Sequence, residues 1–255
     1  MAIIQPFTHR LGSLVSGLQG HITSLLDAGG HVTDEDDNVG HLDLVDNCRI
    51  MMWKDYHGGN KLVQETAGDM PRWESGGGDK SIFFSGSAKY MSLNTVIGCP
   101  EQEAFSIAFH LKCSDFAGAR TIIGTDSNNF LMINEANTFY GNFGGGEAWL
   151  IPNGESVLPT DEYFTVIFTR TEGEEGIVQA YVWNAGGELV NADWTSEPPI
   201  DNGEIEFARV GCDAADTNNF LGKMQHISWY GKALGTSERN AVRDYIINTE
   251  GCTNE

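Results

Sequence analysis

The segment Phe105-Ser-Ile-Ala-Phe-His-Leu111 alternates large apolar side chains with smaller or polar ones. Because successive side chains of a β-strand point to opposite faces of a sheet, this period of two predicts a half-buried strand. Similar segments follow at residues 164–168, 177–183 and 224–230. The middle of the chain is therefore predicted to consist of strands.

Turn-forming sequences separate these segments, among them Asn153-Gly154, Glu172-Gly173 and Asp201-Asn202-Gly203. Asn, Asp and Gly favour tight turns because they accept backbone conformations that most residues avoid. The sequence shows no helical pattern between the predicted strands. Strands joined by short turns form antiparallel sheets, so we predict an all-β fold, a sandwich of two antiparallel sheets.

The C-terminal end has the pattern of a helix. Val242, Tyr245 and Ile246 lie on one face of such a helix, and Thr236 or Ser237 can cap its start. We predict a helix over residues 237–248 that packs on the sandwich.

Residues 1–46 carry apolar side chains at the spacing of one face of a helix of about four turns. Glycines at three positions weaken this helix, so it would need a partner surface in order to form. We predict a helical or extended anchoring segment over 1–46, followed by the sandwich domain over 47–255. The alternative is that the stripe covers an open face of the same sandwich. The residues of the stripe are Leu11, Leu14, Leu18, Ile22 and Leu25.

Charge excludes several classes of partner. The 255 residues include 15 Lys and Arg against 36 Asp and Glu, which gives a net charge of −21. Nucleic acids and anionic membrane surfaces are bound by basic faces, so neither is expected as a partner. No apolar run has the length of a membrane span, and the first residues do not resemble a secretion signal.

The cysteines favour free thiols. The chain has 5 cysteines, an odd number, with no Cys-x-x-Cys pair. This pattern is typical neither of a disulfide framework nor of a zinc cluster. A single bridge through Cys252 is the alternative.

Several segments, in order along the chain, resemble a known family. Phe84-Ser-Gly-Ser-Ala-Lys-Tyr-Met-Ser-Leu93 is similar to the opening motif of concanavalin A-like domains of the laminin-G kind. The segments 105–111, 164–170 and 222–230 resemble their later strand motifs. Trp53-Lys-Asp55 and the ending from Lys232 to Tyr245 resemble phage-associated members. The resemblance covers about residues 48–250 and implies a jelly roll of two curved sheets.

The carboxylates argue against an enzyme. Glucanases of this fold carry Glu-x-Asp-x-x-Glu on one strand, and no glutamate here starts such a run. Glu204 and Glu206 would share a strand face but lack a third acid. A Gly-x-Ser-x-Gly nucleophile motif is also missing from the sequence. We therefore predict a protein that is not an enzyme.

Two sets of residues are candidates for binding. An aromatic ring can stack on the C–H face of a sugar while amide groups bind its hydroxyls, so the first set is predicted to bind a glycan. The alternative is that they are core or edge residues. They are Tyr140, Asn142, Phe143 and Trp149.

The second set could hold Ca²⁺, which prefers carboxylate and amide oxygens from loops. Laminin-G-like domains often bind calcium at a rim of the sandwich, so the resemblance favours this site if the loops meet. The alternative is that these side chains only form turns. They are Asp126, Asn128, Asp213 and Asp216.

The resemblance to phage-associated members suggests the biological setting. A module without a secretion signal or disulfides fits a particle that assembles in the reducing cytoplasm of a bacterial host. We predict a phage virion surface protein, a capsid decoration or tail appendage for adhesion, host recognition or capsid stabilisation. Residues 1–46 would attach it to other virion proteins, as a homo-oligomer on the particle. The alternative is a free lectin-like carbohydrate-binding module, with or without calcium.

Overall fold

A computed structural model of the protein describes residues 19–22, 32–34, 46–54, 61–75, 80–87, 89–115, 118–144, 148–151, 158–196, 200–201, 203–213 and 218–249. Within these ranges the chain forms β-strands and one helix, α1 (Thr236–Thr249). In chain order the strands are β1 (Gln19–Ile22), β2 (Val32–Asp34), β3 (Ile50–Lys54), β4 (Lys61–Val63), β5 (Arg72–Glu74), β6 (Ser81–Ser85), β7 (Met91–Cys99), β8 (Phe105–Cys113), β9 (Arg120–Asp126), β10 (Asn129–Ile133), β11 (Phe139–Phe143), β12 (Trp149–Ile151), β13 (Tyr163–Arg170), β14 (Glu175–Gly176), β15 (Val178–Asn184), β16 (Leu189–Thr195), β17 (Ile200–Asp201), β18 (Ile205–Val210) and β19 (Leu221–Tyr230).

All strands but two form two large antiparallel sheets that face each other, and β14 pairs separately with β17. Sheet A has the order β16-β15-β13-β8-β19-β6-β5, and β1 also pairs with β19. Sheet B has the order β12-β11-β10-β9-β18-β7-β4-β3-β2. One apolar core, with residues from both sheets, fills the space between them. The predicted antiparallel sandwich is confirmed.

The N-terminal segment contributes a strand to each sheet. β1 pairs with β19 from Gln19↔Tyr230 to Ile22↔Ile227, whereas β6 pairs with residues 221–224 of β19. Since β8 occupies the other side of β19, β1 and β6 lie end to end along one edge of that strand. β2 pairs with β3 at the end of sheet B.

Of the helical or extended segment predicted at the N-terminus, Gln19–Ile22 form a strand, which agrees with the extended form and not with the helical one. Glycine weakens a helix, and the edge of β19 offers these residues backbone hydrogen-bonding partners instead. This pairing makes residues 19–22 part of sheet A. The anchoring role, and the alternative that the stripe covers an open face of the sandwich, both stay predictions. Ile22 belongs to β1, whereas Leu11, Leu14, Leu18 and Leu25 lie outside the described residues.

Strand β8 is buried on both faces, which differs from the half-buried strand predicted for it. Its outward residues Ser106, Ala108 and His110 are each 0% exposed. Ala108 packs in a second apolar cluster beneath α1, together with Val242 and Ile246. The hydroxyl of Ser106 donates to the carbonyl of Lys232 over 2.7 Å, and the chain leading to the helix therefore seals this part of sheet A.

Helix α1 confirms the predicted C-terminal helix, with a different cap. Gly235 is the capping residue, since its carbonyl accepts the first helical hydrogen bond, from the N–H of Arg239 over 2.9 Å. Glu238 reaches back and accepts the N–H of Gly235 over 3.0 Å. This is the glutamate half of a capping box, and Lys232 donates to the same carboxylate over 2.8 Å.

Arg170 ties three loops together inside one end of the sandwich. Its side chain is 0% exposed, and burial lowers the pKa of the guanidinium. The guanidinium donates to the backbone carbonyls of Glu103, Phe143 and Gly203, at 2.8, 3.1 and 2.7 Å, and also to that of Pro100. Each carbonyl belongs to a different turn or strand end, except the neighbouring Pro100 and Glu103.

A glycine permits the close approach of two of these segments. Gly144 has a φ of +75°, and a Cβ atom there would overlap the carbonyl of Glu204. Only a residue without a side chain suits both this conformation and this contact.

No disulfide joins the four described cysteines, and Cys252 lies outside the described residues. Burial raises the pKa of the Cys113 thiol to about 12. Burial also raises the pKa of Cys99, although the neighbouring Arg170 guanidinium acts in the opposite direction.

Candidate functional site

Strands β10 and β11 give sheet B an outer face with aromatic and polar side chains. Leu131 and Phe139 point into the core, and alternation turns Phe130, Met132 and Tyr140 to the opposite face. The rings of Phe130 and Tyr140 pack on that face with their centroids 5.4 Å apart. The described helix packs on sheet A and therefore does not cover this face of sheet B.

An open depression of about 530 Å³ lies on this face, beside the turn that joins β10 to β11. Tyr140 is only half-buried and forms part of its wall. The wall is otherwise apolar at three positions and polar at two. The described lining residues are Ala119, Met132, Asn134, Glu135, Ala136 and Tyr140.

The turn beside the depression is held by one side chain. Oδ1 of Asn134 accepts the backbone N–H groups of Ala136 and Thr138, at 3.0 and 3.1 Å. It also accepts the hydroxyl of Thr138 over 2.7 Å. Asn137 has a φ of 57°, in the left-handed region that Asn tolerates better than most residues. These bonds fix the backbone of the turn and the orientation of the Asn134 side chain.

Two polar groups of the turn remain available. Within the described part of the chain, neither Nδ2 of Asn134 nor the carboxylate of Glu135 has a hydrogen-bonding or ion-pair partner, and neither has the hydroxyl of Tyr140. The depression thus offers an aromatic ring, a donor and an acceptor together. These are the groups that bind small polar ligands with apolar faces.

Two of the four predicted glycan-binding residues are core residues instead. Phe143 and Trp149 are each 1% exposed, and their rings pack edge to face at 4.9 Å. Phe143 lies on the inward face of β11, opposite to Tyr140 and Asn142, and Trp149 belongs to the same apolar core. A surface ligand cannot reach them, so the prediction is corrected for this pair.

Asn142 lies on the outer face but is 3% exposed. Its amide donates to the carbonyl of Ser127 over 3.4 Å, which supports the turn between β9 and β10. Of the predicted set, Tyr140 is the residue that lines the depression. Asn134 and Glu135 were missed, although a polar stretch between two apolar segments is a turn signal.

Two of the four candidate calcium ligands, Asp126 and Asp213, lie apart from each other. Asp126 ends β9, and its Oδ1 accepts the N–H of Asn128 over 2.8 Å, as in an Asx turn. Asp213 follows Gly211, whose N–H bonds the carbonyl of Ile122 near the start of β9. The two loops therefore lie toward opposite ends of one strand.

The other described contact of the candidate calcium ligands is also one that supports a turn. The Asp213 carboxylate accepts the amide of Asn218 over 3.1 Å, and Asp216 lies outside the described residues. Among the side chains that the structure describes, no group of three or more His, Cys, Asp or Glu is placed to hold a metal ion. Nor does the described chain contain a helix long and apolar enough to cross a membrane.

Comparisons with known proteins establish the fold. The sequence matches no family model and no curated protein. A GH54 α-L-arabinofuranosidase soaked with a cyclic sulfate inhibitor is similar, with a TM-score of 0.59 and 12% identity, covering 92% of this chain and 62% of that one. An arabinofuranosidase complexed with arabinofuranosyl-α-1,2-xylobiose gives 0.56 and 14%, covering 93% and 61%. An HCR/D mutant gives 0.51 and 15%, covering 86% and 52%.

The chain therefore spans about three fifths of the length of these arabinofuranosidases. At such low identity the similarity establishes a shared β-sandwich fold and does not transfer an activity.

Proposed function

We propose that the protein is a non-catalytic carbohydrate-binding module of the concanavalin A-like jelly-roll type, and that the depression beside Tyr140 is its binding site. The observation that supports this is the half-exposed Tyr140 ring beside two unengaged polar groups, those of Asn134 and Glu135. The ring can stack on the C–H face of a sugar, while the amide and the carboxylate bind its hydroxyls.

The carboxylates favour binding over hydrolysis. Glycoside hydrolases typically place two carboxyl groups on either side of the bond they cleave. Glu135 is the one carboxylate among the described lining residues. A sugar bound on Tyr140 would therefore contact one carboxylate among these residues. Glycoside hydrolysis typically requires two.

The solved relatives suggest which sugars to test first. Two of them are arabinofuranosidases, one in complex with an arabinofuranosyl xylobiose. Arabinoxylan oligosaccharides are therefore the first ligands to titrate, followed by other neutral plant and bacterial glycans.

Titration calorimetry of the full chain with arabinoxylan oligosaccharides tests the proposal. Tyr140→Ala should weaken binding about tenfold or more, which corresponds to about 1.4 kcal/mol or more of lost stacking. Tyr163→Ala is the matched control, since Tyr163 is also half-buried but stacks on His110 in sheet A. Equal affinity of the Tyr140→Ala and wild-type proteins for every bound glycan would overturn this site.

We also propose that the module is displayed on a phage particle through residues 1–46. Support comes from the sequence resemblance of residues 53–55 and 232–245 to phage-associated proteins. Mass spectrometry of purified particles tests this: hundreds of copies per particle indicate capsid decoration, and a few copies indicate a tail appendage. Absence from the particles would overturn the proposed setting and leave the binding function untouched.

A further inference from the structure

We infer that the depression beside Tyr140 selects neutral glycans and rejects glycans that carry uronic acids, and that Glu135 determines this selectivity. The inference rests on the proposed carbohydrate-binding function and concerns the same site. It follows from the charged residues around the depression.

Glu135 is the one charged residue among the described residues that line the depression. It is exposed in the turn between β10 and β11, and the bonds of Asn134 to Ala136 and Thr138 hold that turn in place. Within the described residues its carboxylate has no ion-pair partner. The carboxylate is therefore available to a ligand, and the backbone of the turn that carries it is fixed in advance of binding.

A carboxylate in this position accepts hydroxyl groups and repels anions. Its two oxygens can accept hydrogen bonds from two neighbouring hydroxyls of one sugar, and a charged acceptor makes these bonds stronger than neutral ones. A uronic acid would instead bring a second carboxylate close to the first. Like charges at an interface are strongly unfavourable and exclude the wrong ligand.

The nearby cation does not offset this charge. Arg120 follows the lining residue Ala119 in the chain, and its guanidinium is held by Asp115 over 2.6 Å. The whole chain, with a net charge of −21, also repels acidic polymers at long range. Both the local and the overall field therefore favour an uncharged ligand.

A matched pair of ligands tests the inference. Arabinoxylan and glucuronoxylan oligosaccharides share a xylan backbone, and the second carries uronic acid groups. We expect the wild-type protein to bind the first and to bind the second at least tenfold more weakly, with the difference shrinking at high salt. Glu135→Gln should weaken arabinoxylan binding about fivefold, because a charged acceptor is replaced by a neutral one. Glu135→Lys should make the protein prefer glucuronoxylan.

Glu172→Gln and Glu172→Lys are the controls for net charge. Glu172 is exposed and follows β13 at the end of the sandwich where Arg170 lies, away from the depression. These variants should keep the wild-type preference. Wild-type preference for glucuronoxylan, or unchanged binding by Glu135→Gln, would overturn the inference while the carbohydrate-binding function stands. If the wild-type protein binds neither oligosaccharide nor any other glycan, the proposed function and the inference both fail.

Discussion

At the residue scale, Arg170 shows how a buried cation can hold several turns and strand ends together. Four backbone carbonyls from three segments accept its N–H groups. A guanidinium suits this role because its donors point outward in a fixed plane, and a lysine amine cannot reach several directions in the same way.

We expect Arg170→Met to lower the free energy of unfolding by at least about 3 kcal/mol. The carbonyls would lose their donors within a buried site, and each unsatisfied group costs about 1–3 kcal/mol. Arg170→Lys should restore only a minor part of the loss. Urea unfolding followed by tryptophan fluorescence measures both variants, and a loss below about 1 kcal/mol for Arg170→Met would contradict the role assigned here.

The alternation of single residues explains why the sequence predicted only part of the candidate site. Alternation along β11 separates Tyr140 and Asn142 from Phe139 and Phe143, and the sequence contains that information. It does not state which set faces the core, because a shift of one residue exchanges the two faces of a strand. Pairing of β11 with β10 and β12 decides this, and those contacts are not local in the sequence.

At the element scale, the capping of α1 makes the stability of the helix dependent on pH. Burial opposes ionisation of Glu238, but hydrogen bonds from Lys232 and from the N–H of Gly235 outweigh it and lower the pKa of the carboxyl. A carboxyl with a lower pKa in the folded state stabilises the protein above its unfolded pKa of about 4.3. That stabilisation is lost as the pH falls through the folded pKa.

Glu238→Gln should therefore be less stable than wild type by about 1 kcal/mol at neutral pH. The difference should shrink as the pH falls through the lowered pKa of Glu238 in the folded state, because the wild-type carboxyl then becomes protonated. Thermal unfolding of both proteins between pH 3 and pH 7 measures it. Glu101→Gln, at an exposed position, is the control and should follow wild type throughout. A difference that does not change with pH would contradict this account.

The elements also differ in how far the sequence predicts them. Strands β8, β13 and β19 alternate apolar with smaller or polar residues clearly enough for the sequence to predict them, and α1 has a continuous apolar stripe. The N-terminal apolar stripe left open whether the segment is helical or extended, because the strand β1 depends on pairing with β19, about 200 residues later in the sequence. Strand formation depends on such partners more than helix formation does.

At the scale of the whole molecule, the net charge of −21 opposes the compact state. We expect NaCl to raise the melting temperature steadily between about 10 and 150 mM, where the screening length falls from about 30 Å to about 8 Å. Differential scanning calorimetry measures this. CaCl₂ and MgCl₂ at matched ionic strength should act alike, since Asp126 and Asp213 lie toward opposite ends of β9. A stabilisation specific to Ca²⁺ would instead indicate a calcium site.

The pairing of β1 with β19 also has a consequence for how the protein is made on the ribosome. Gln19 pairs with Tyr230 in the finished sheet, so β1 stays without its partner until β19 has been translated. At about 5–20 residues per second, the first strand waits roughly ten to forty seconds for its partner. During that interval β1 is an unpaired strand segment, and chaperones that bind emerging polypeptides have time to bind it.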